Sequence, residues 1–109
     1  MSTLFADLPK ITKGELLLLG SPELRFSQLL TDSRKLISPE ETVFFAMNGK
    51  RLKGIDFIES LYEQGVRNFI VEKKMATDKM EEANILIVKN VVQALQDIVI
   101  KKKKKFHIP

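Results

Sequence analysis

The chain has 109 residues, the length of one domain, and its 44% hydrophobic and 29% charged content is a globular balance, not a disordered one. It has no cysteine, which excludes disulfides and thiolate metal sites, and no apolar run approaches a membrane span, while Leu16–Leu19 is too short for a signal-peptide core and follows Glu15, so a cytoplasmic protein is expected. The net charge of +4 comes from Lys101–Lys105: without those five lysines, 13 basic residues face 14 acidic ones, and a neutral body argues against a nucleic-acid-binding face.

In chain order, Leu4–Leu8 reads as a short amphipathic helix stopped near Pro9. Glu15–Leu19 reads as a strand closed by the Gly20-Ser21-Pro22 turn. Phe26–Leu30 is a second strand, leading into Thr31-Asp32-Ser33-Arg34, and Ile37–Glu41 is a turn. Thr42–Met47 is the strongest strand, because Val43, Phe44 and Phe45 have high β propensity. The polar loop Asn48–Gly54 follows. A helix begins at Asp56, where Asp56 and Glu59 have capping-box spacing. Its apolar face is Phe57, Ile58, Leu61 and Tyr62, with Gly65 at C′.

Asn68–Glu72 and Ile85–Val88 read as buried strands, separated by a polar loop or helical turn over Met75–Ala83. Asn90 caps the last helix, with Gln93 at the box position. Val91, Ala94, Leu95 and Ile98 form its buried stripe, widened by Val92 and Val99, and the lysines complement the dipole of its last turns. The order of elements gives an α/β fold, a small sandwich of a mixed β-sheet with flanking helices.

Catalysis finds little support. His107 is the only histidine and has no evident Ser, Cys or carboxylate partner; no residues show metal-ligand spacing. Gly49-Lys50 is not a phosphate loop, since Phe44 stands where that motif needs glycine and Arg51 where it needs Ser or Thr. Two loops stand out instead. Thr31–Arg34 offers two hydroxyls, a carboxylate and a guanidinium; Asn48–Gly54 offers an amide, two glycines and three cations. Glycines allow close backbone approach, and Arg and Lys neutralise phosphate. If the loops meet, they make a positive cleft suited to a nucleotide diphosphate. The plainer alternative is two ordinary turns, with Asp32 and Arg34 paired to each other.

At these loops the stretch TDSRKLISPEETVFFAMNGKRLKGIDFIESLYEQGVRNFIVEK resembles the N-terminal domain of the Mur ligases, ATP-dependent enzymes that extend UDP-N-acetylmuramic acid in peptidoglycan synthesis. GELLLLG before it, ANILIVKNVVQALQDI after it and KFHIP at the end follow the same pattern. GKRLKGIDFI favours the MurF type, which adds D-alanyl-D-alanine and in some members is fused to an alanine racemase; the MurE type shares the architecture. The resemblance implies that residues 1–109 are one substrate-binding domain, cut just before an ATP-binding domain that uses ATP and Mg. It has no catalytic residue or cofactor of its own, and its partners are UDP-N-acetylmuramoyl-tripeptide and the central and C-terminal domains.

By resemblance, Thr31 and Ser33 face the uridine diphosphate and Lys50, Arg51 and Leu52 wrap the uridine, with Arg34 and Asn48 as neighbours. The chain departs from the family pattern at Leu52 (usually aromatic), Lys53 (usually acidic) and Ile55 (usually histidine). The competing reading is a non-enzymatic module whose lysine tail binds nucleic acid or acidic surfaces; it requires a basic face where the first requires a neutral body with a polar cleft.

Overall fold

Strands covered on both faces are apolar at nearly every position, because successive side chains point to opposite sides. The computed structural model describes residues 2–48 and 53–102 and builds its sheet from such runs. In chain order the elements are β1 (Thr3–Leu4), α1 (Leu8–Thr12), β2 (Glu15–Leu19), β3 (Arg25–Phe26), β4 (Gln28–Leu30), β5 (Thr42–Phe45), α2 (Ile58–Glu63), β6 (Asn68–Val71), β7 (Asn84–Ile87) and α3 (Val91–Lys102). The main sheet has the order β2-β7-β6-β5-β4. β4 to β7 are parallel neighbours, and β2 pairs antiparallel with β7 at one edge. β1 and β3 form a separate antiparallel pair.

The alternation sorts the core into two layers. Leu29, Val43, Phe45, Ile70 and Leu86 pack with Phe5, Leu8 and the α3 residues Val91, Ala94 and Ile98. Leu30, Phe44, Phe69, Val71 and Ile85 pack on the other side with Ile58 and Leu61 of α2. The result is the expected α/β sandwich of a mixed sheet with helices on both faces. Among the described residues, no helix is long and apolar enough to cross a membrane.

Several local expectations need correcting. Pro9 does not stop a helix; it sits in the first turn of α1, where its missing N–H would have no helical acceptor anyway. The preceding Phe5–Asp7 is a 3₁₀ turn. The stretch 26–30 is not one strand: the Ser27 N–H donates to the Glu41 carbonyl at 2.9 Å, so Phe26 pairs with Thr3 while Gln28–Leu30 joins the main sheet. Asp56 and Glu59 form no capping box, because a 3₁₀ turn over Gly54–Phe57 precedes α2 and neither start has a side-chain cap. Gly65 does take a left-handed conformation, φ +110°, as a C′ glycine should. At α3 the Asn90 side chain accepts the Gln93 N–H at 2.9 Å, but the Gln93 side chain runs forward to Asp97, and Val92 is exposed.

The amino ends of the strands are tied by a buried amide ladder. Asn84 Nδ2 donates to Asn68 Oδ1 at 3.0 Å and to the Ser21 carbonyl at 2.8 Å. The Ser21 N–H returns a bond to Asn84 Oδ1 at 2.9 Å, and Asn68 Nδ2 reaches the Thr42 carbonyl. Both asparagines are fully buried, so this mutual pairing removes the penalty that an unpaired amide would carry.

Candidate functional site

In open α/β sheets, ligands bind beyond the carboxyl ends of the parallel strands. Here β4 ends into Thr31-Asp32 and β5 into Ala46-Met47, which sets the two segments side by side. Asp32 then shapes the first wall. Its Oδ1 accepts the Arg34 N–H at 3.0 Å and its carbonyl accepts the Lys35 N–H at 3.0 Å, closing the 3₁₀ turn Ser33–Lys35. Arg34 folds back onto the same carboxylate, Nε to Oδ1 at 3.0 Å and one terminal nitrogen to Oδ2 at 2.9 Å. This two-pronged hydrogen bonding, with the backbone bond and the nearby positive charge, lowers the Asp32 pKa to about 2. The same bonds raise that of Arg34.

The second wall comes from Gly54. Its N–H donates to the Met47 carbonyl at 2.7 Å, and a Cβ there would lie 2.5 Å from the Met47 nitrogen, so only glycine lets these backbones meet. Between the walls is a cleft of about 440 Å³, lined by Thr31, Asp32, Ser33 and Arg34 on one side and by Phe44, Met47, Gly54 and Phe57 on the other. That volume lies within the range of small-molecule sites. Hydroxyls and a guanidinium opposite apolar side chains suit a ligand with a flat or apolar part and a polar edge.

Thr31, Ser33 and Arg34 therefore come together. Asn48 does not join them: it lies in a neighbouring hollow of about 160 Å³ with Lys53 and Glu72. There it forms an antiparallel bridge with Lys53, and its Nδ2 donates to Glu72 Oε1 at 3.1 Å. Lys50, Arg51 and Leu52 lie outside the described residues, as do His107 and Lys103–Lys105. Gly54 belongs to the glycine loop read from the sequence, whereas Phe44, Met47 and Phe57 were not picked out as site residues. The phenylalanines read as core, which Phe44 also is, and the only pointer to Phe57 was its place just after the glycine loop.

Among the described residues, a hollow of similar size beside Asp56, Glu59 and Asp78 is acidic and unsuited to a phosphate, and a larger one between α1 and α3 is lined by no described residue of either loop. No cluster of three or more His, Cys, Asp or Glu that could hold a metal ion occurs among the described residues.

Residues 26–109 match the family described as "Mur ligase family, catalytic domain". The chain belongs to the Mur ligase family. Two crystal structures of MurF from Acinetobacter baumannii superpose on this Mur ligase domain with TM-scores of 0.72 and 0.73 at 26% identity, covering 89% and 90% of it. A structure of UDP-N-acetylmuramoylalanyl-D-glutamyl-2,6-diaminopimelate--D-alanyl-D-alanyl ligase from the same organism matches equally, with a TM-score of 0.72 at 26% identity over 89% of the chain. The domain spans 20% of the length of each of these structures. Its fold is that of the Mur ligase N-terminal domain as found in MurF. No curated protein matches it.

Proposed function

We propose that this domain binds the UDP end of UDP-N-acetylmuramoyl-tripeptide, as the N-terminal part of an ATP-dependent, D-alanyl-D-alanine-adding ligase of cytoplasmic peptidoglycan synthesis. The observation that carries the reading is the cleft at the carboxyl ends of β4 and β5, where Thr31, Ser33 and Arg34 face Gly54 and Phe57, in a chain of this family. The preference for the MurF type rests on the MurF structures it resembles.

Thr31 and Ser33 supply hydroxyls that hydrogen-bond the nucleotide, and the Arg34 guanidinium lies at the cleft mouth. Lys50, Arg51 and Leu52 join the site by resemblance, the two cations neutralising diphosphate and Leu52 covering the base. In this reading the domain anchors the substrate and the chemistry is carried elsewhere, since Gly49-Lys50 does not follow the phosphate-loop pattern. ATP and Mg would act in another part of the full-length chain, where phosphorylation of the peptide carboxylate prepares it for attack by the incoming amine. This domain contributes binding energy and orientation far from the reacting atoms.

The test is a titration of UDP-muramoyl tripeptide into the chain while amide chemical shifts are recorded. Shifts should concentrate at Thr31–Arg34 and at Met47, Gly54 and Phe57. Silence at millimolar ligand, or a cluster of shifts elsewhere, overturns the assignment.

A further inference from the structure

Glu72 follows the last residue of β6, is half-buried, and uses both carboxylate oxygens. Oε1 accepts the Asn48 Nδ2 at 3.1 Å, and Oε2 accepts the Val91 N–H, the first of α3, at 2.8 Å. A carboxylate at a helix N-terminus satisfies an otherwise unpaired donor and complements the dipole. Glu72 does this from a different segment, and with its other oxygen grips the residue after Met47.

Met47 is part of the cleft wall. Its carbonyl receives the Gly54 N–H, and Asn48 and Lys53 are bridged just beside it. The position of that wall therefore depends on where Asn48 is held. We infer that Glu72 is a positioning residue that fixes the wall formed by Met47 and Gly54 to the start of α3, and that Asn48 acts through this tie and not by touching the ligand. The inference rests on the UDP-binding reading of the cleft. It also gives the site a physical link to α3: displacing the first turn of that helix pulls on the carboxylate that holds Asn48.

Asn48→Ala, Glu72→Ala and the double variant separate the possibilities, with UDP as the probe. Each single change should weaken UDP binding by roughly fivefold, the size expected when a coupled but non-contacting residue is removed. The double variant should be no weaker than Glu72→Ala alone, because that change already removes the bond that Asn48→Ala removes. Glu72→Gln, which keeps one accepting oxygen for two donors, should fall between the parent and Glu72→Ala. Additive losses, or unchanged binding in both single variants, overturn the inference.

A ligand-free readout keeps this distinct from the UDP reading itself. Asn48→Ala should shift the Val91 amide resonance, whether or not the parent binds UDP. An unmoved Val91 resonance overturns the coupling even if UDP binds; a moved one beside a parent that ignores UDP sinks only the UDP reading. If Glu72→Ala fails to fold, Asn48→Ala, at an exposed position, still decides the point through Val91.

Discussion

Asp32 and Arg34 are locked together by three hydrogen bonds, two from the guanidinium and one from the Arg34 backbone. The charges cancel, so the turn presents a fixed guanidinium without adding net positive charge to the cleft. The depressed Asp32 pKa, about 2, sets the pH window. A carboxylate with a lowered folded-state pKa contributes stability above its unfolded value, near 3.9, and loses it as pH falls through the folded one. The pair is therefore intact at neutral pH and opens only in strong acid. Carbon-detected titration should find the Asp32 midpoint near 2, and Arg34→Gln should raise it toward the ordinary range. A midpoint unmoved by that change would show that the fork does not exist in solution.

On the proposed UDP-binding reading, the hydroxyl of Ser33 and the cation of Arg51 make different contributions to holding the ligand. Ser33→Ala removes a neutral hydrogen bond, on the order of 1 kcal/mol, and should weaken UDP-ligand binding about fivefold. If Arg51 meets phosphate, Arg51→Ala should remove a charge-assisted contact of roughly 1.5–3 kcal/mol, about a ten- to hundredfold loss that shrinks as salt rises. Glu81→Ala, at an exposed turn before the amino end of β7, is the control and should bind as the parent does. Calorimetry on the three variants checks the order; Ser33→Ala binding like the parent would remove Ser33 from the site.

Gly54→Ala should injure both fold and site. The added methyl would lie 2.5 Å from the Met47 nitrogen and 2.6 Å from the Ala46 carbonyl carbon, contacts with backbone that cannot rotate away. Such overpacking typically costs about 1–3 kcal/mol. Denaturant midpoints should fall accordingly, with UDP binding weakened because the cleft wall has moved. Parent-like stability would mean that the two backbones are not in contact.

Asn84→Ala tests the opposite rim. It strips partners from the Ser21 carbonyl and from the Asn68 side chain, and leaving buried polar groups unpaired costs about 1–3 kcal/mol. Chemical denaturation should show that loss, while the folded variant should keep its UDP affinity. A variant that folds well and has lost UDP binding would place the ligand at the wrong end of the sheet.

What the sequence allows one to read follows from where the signal is local. Glu15–Leu19 is bounded by glycines, and its limits match β2. Thr42–Met47 reads as a strand from the β propensity of Val43, Phe44 and Phe45, and β5 forms there over Thr42–Phe45. Tertiary pairing decides the misreadings. Ser27 leaves the strand to bond Glu41, and nothing within 26–30 announces that partner. Asp56 and Glu59 have box spacing, but the Gly54–Phe57 turn carries the chain past the capping geometry. In the cleft, Thr31 and Ser33 were legible as a polar cluster after a strand. Asn48 belonged to an equally polar cluster, yet its partner Glu72 lies 24 positions away in the chain, beyond any short-range pattern. Phe57 has helical spacing with Leu61, and spacing alone does not separate a core side chain from one that floors a cleft.

The amide ladder has a consequence for how this domain can change over generations. Asn68 and Asn84 are held by each other's side chains, and Asn84 also pairs with the Ser21 backbone, so neither asparagine is free to vary alone. Thr31, Ser33, Met47 and Phe57 sit on the far rim, where their replacement leaves every strand pairing intact. A library randomised at those four positions should yield mostly folded proteins with altered ligand preference. The same library at Asn68 and Asn84 should yield few, and those few should carry paired changes. Retuning of ligand preference is thus open to single substitutions at one rim, while the other evolves only by coordinated replacement.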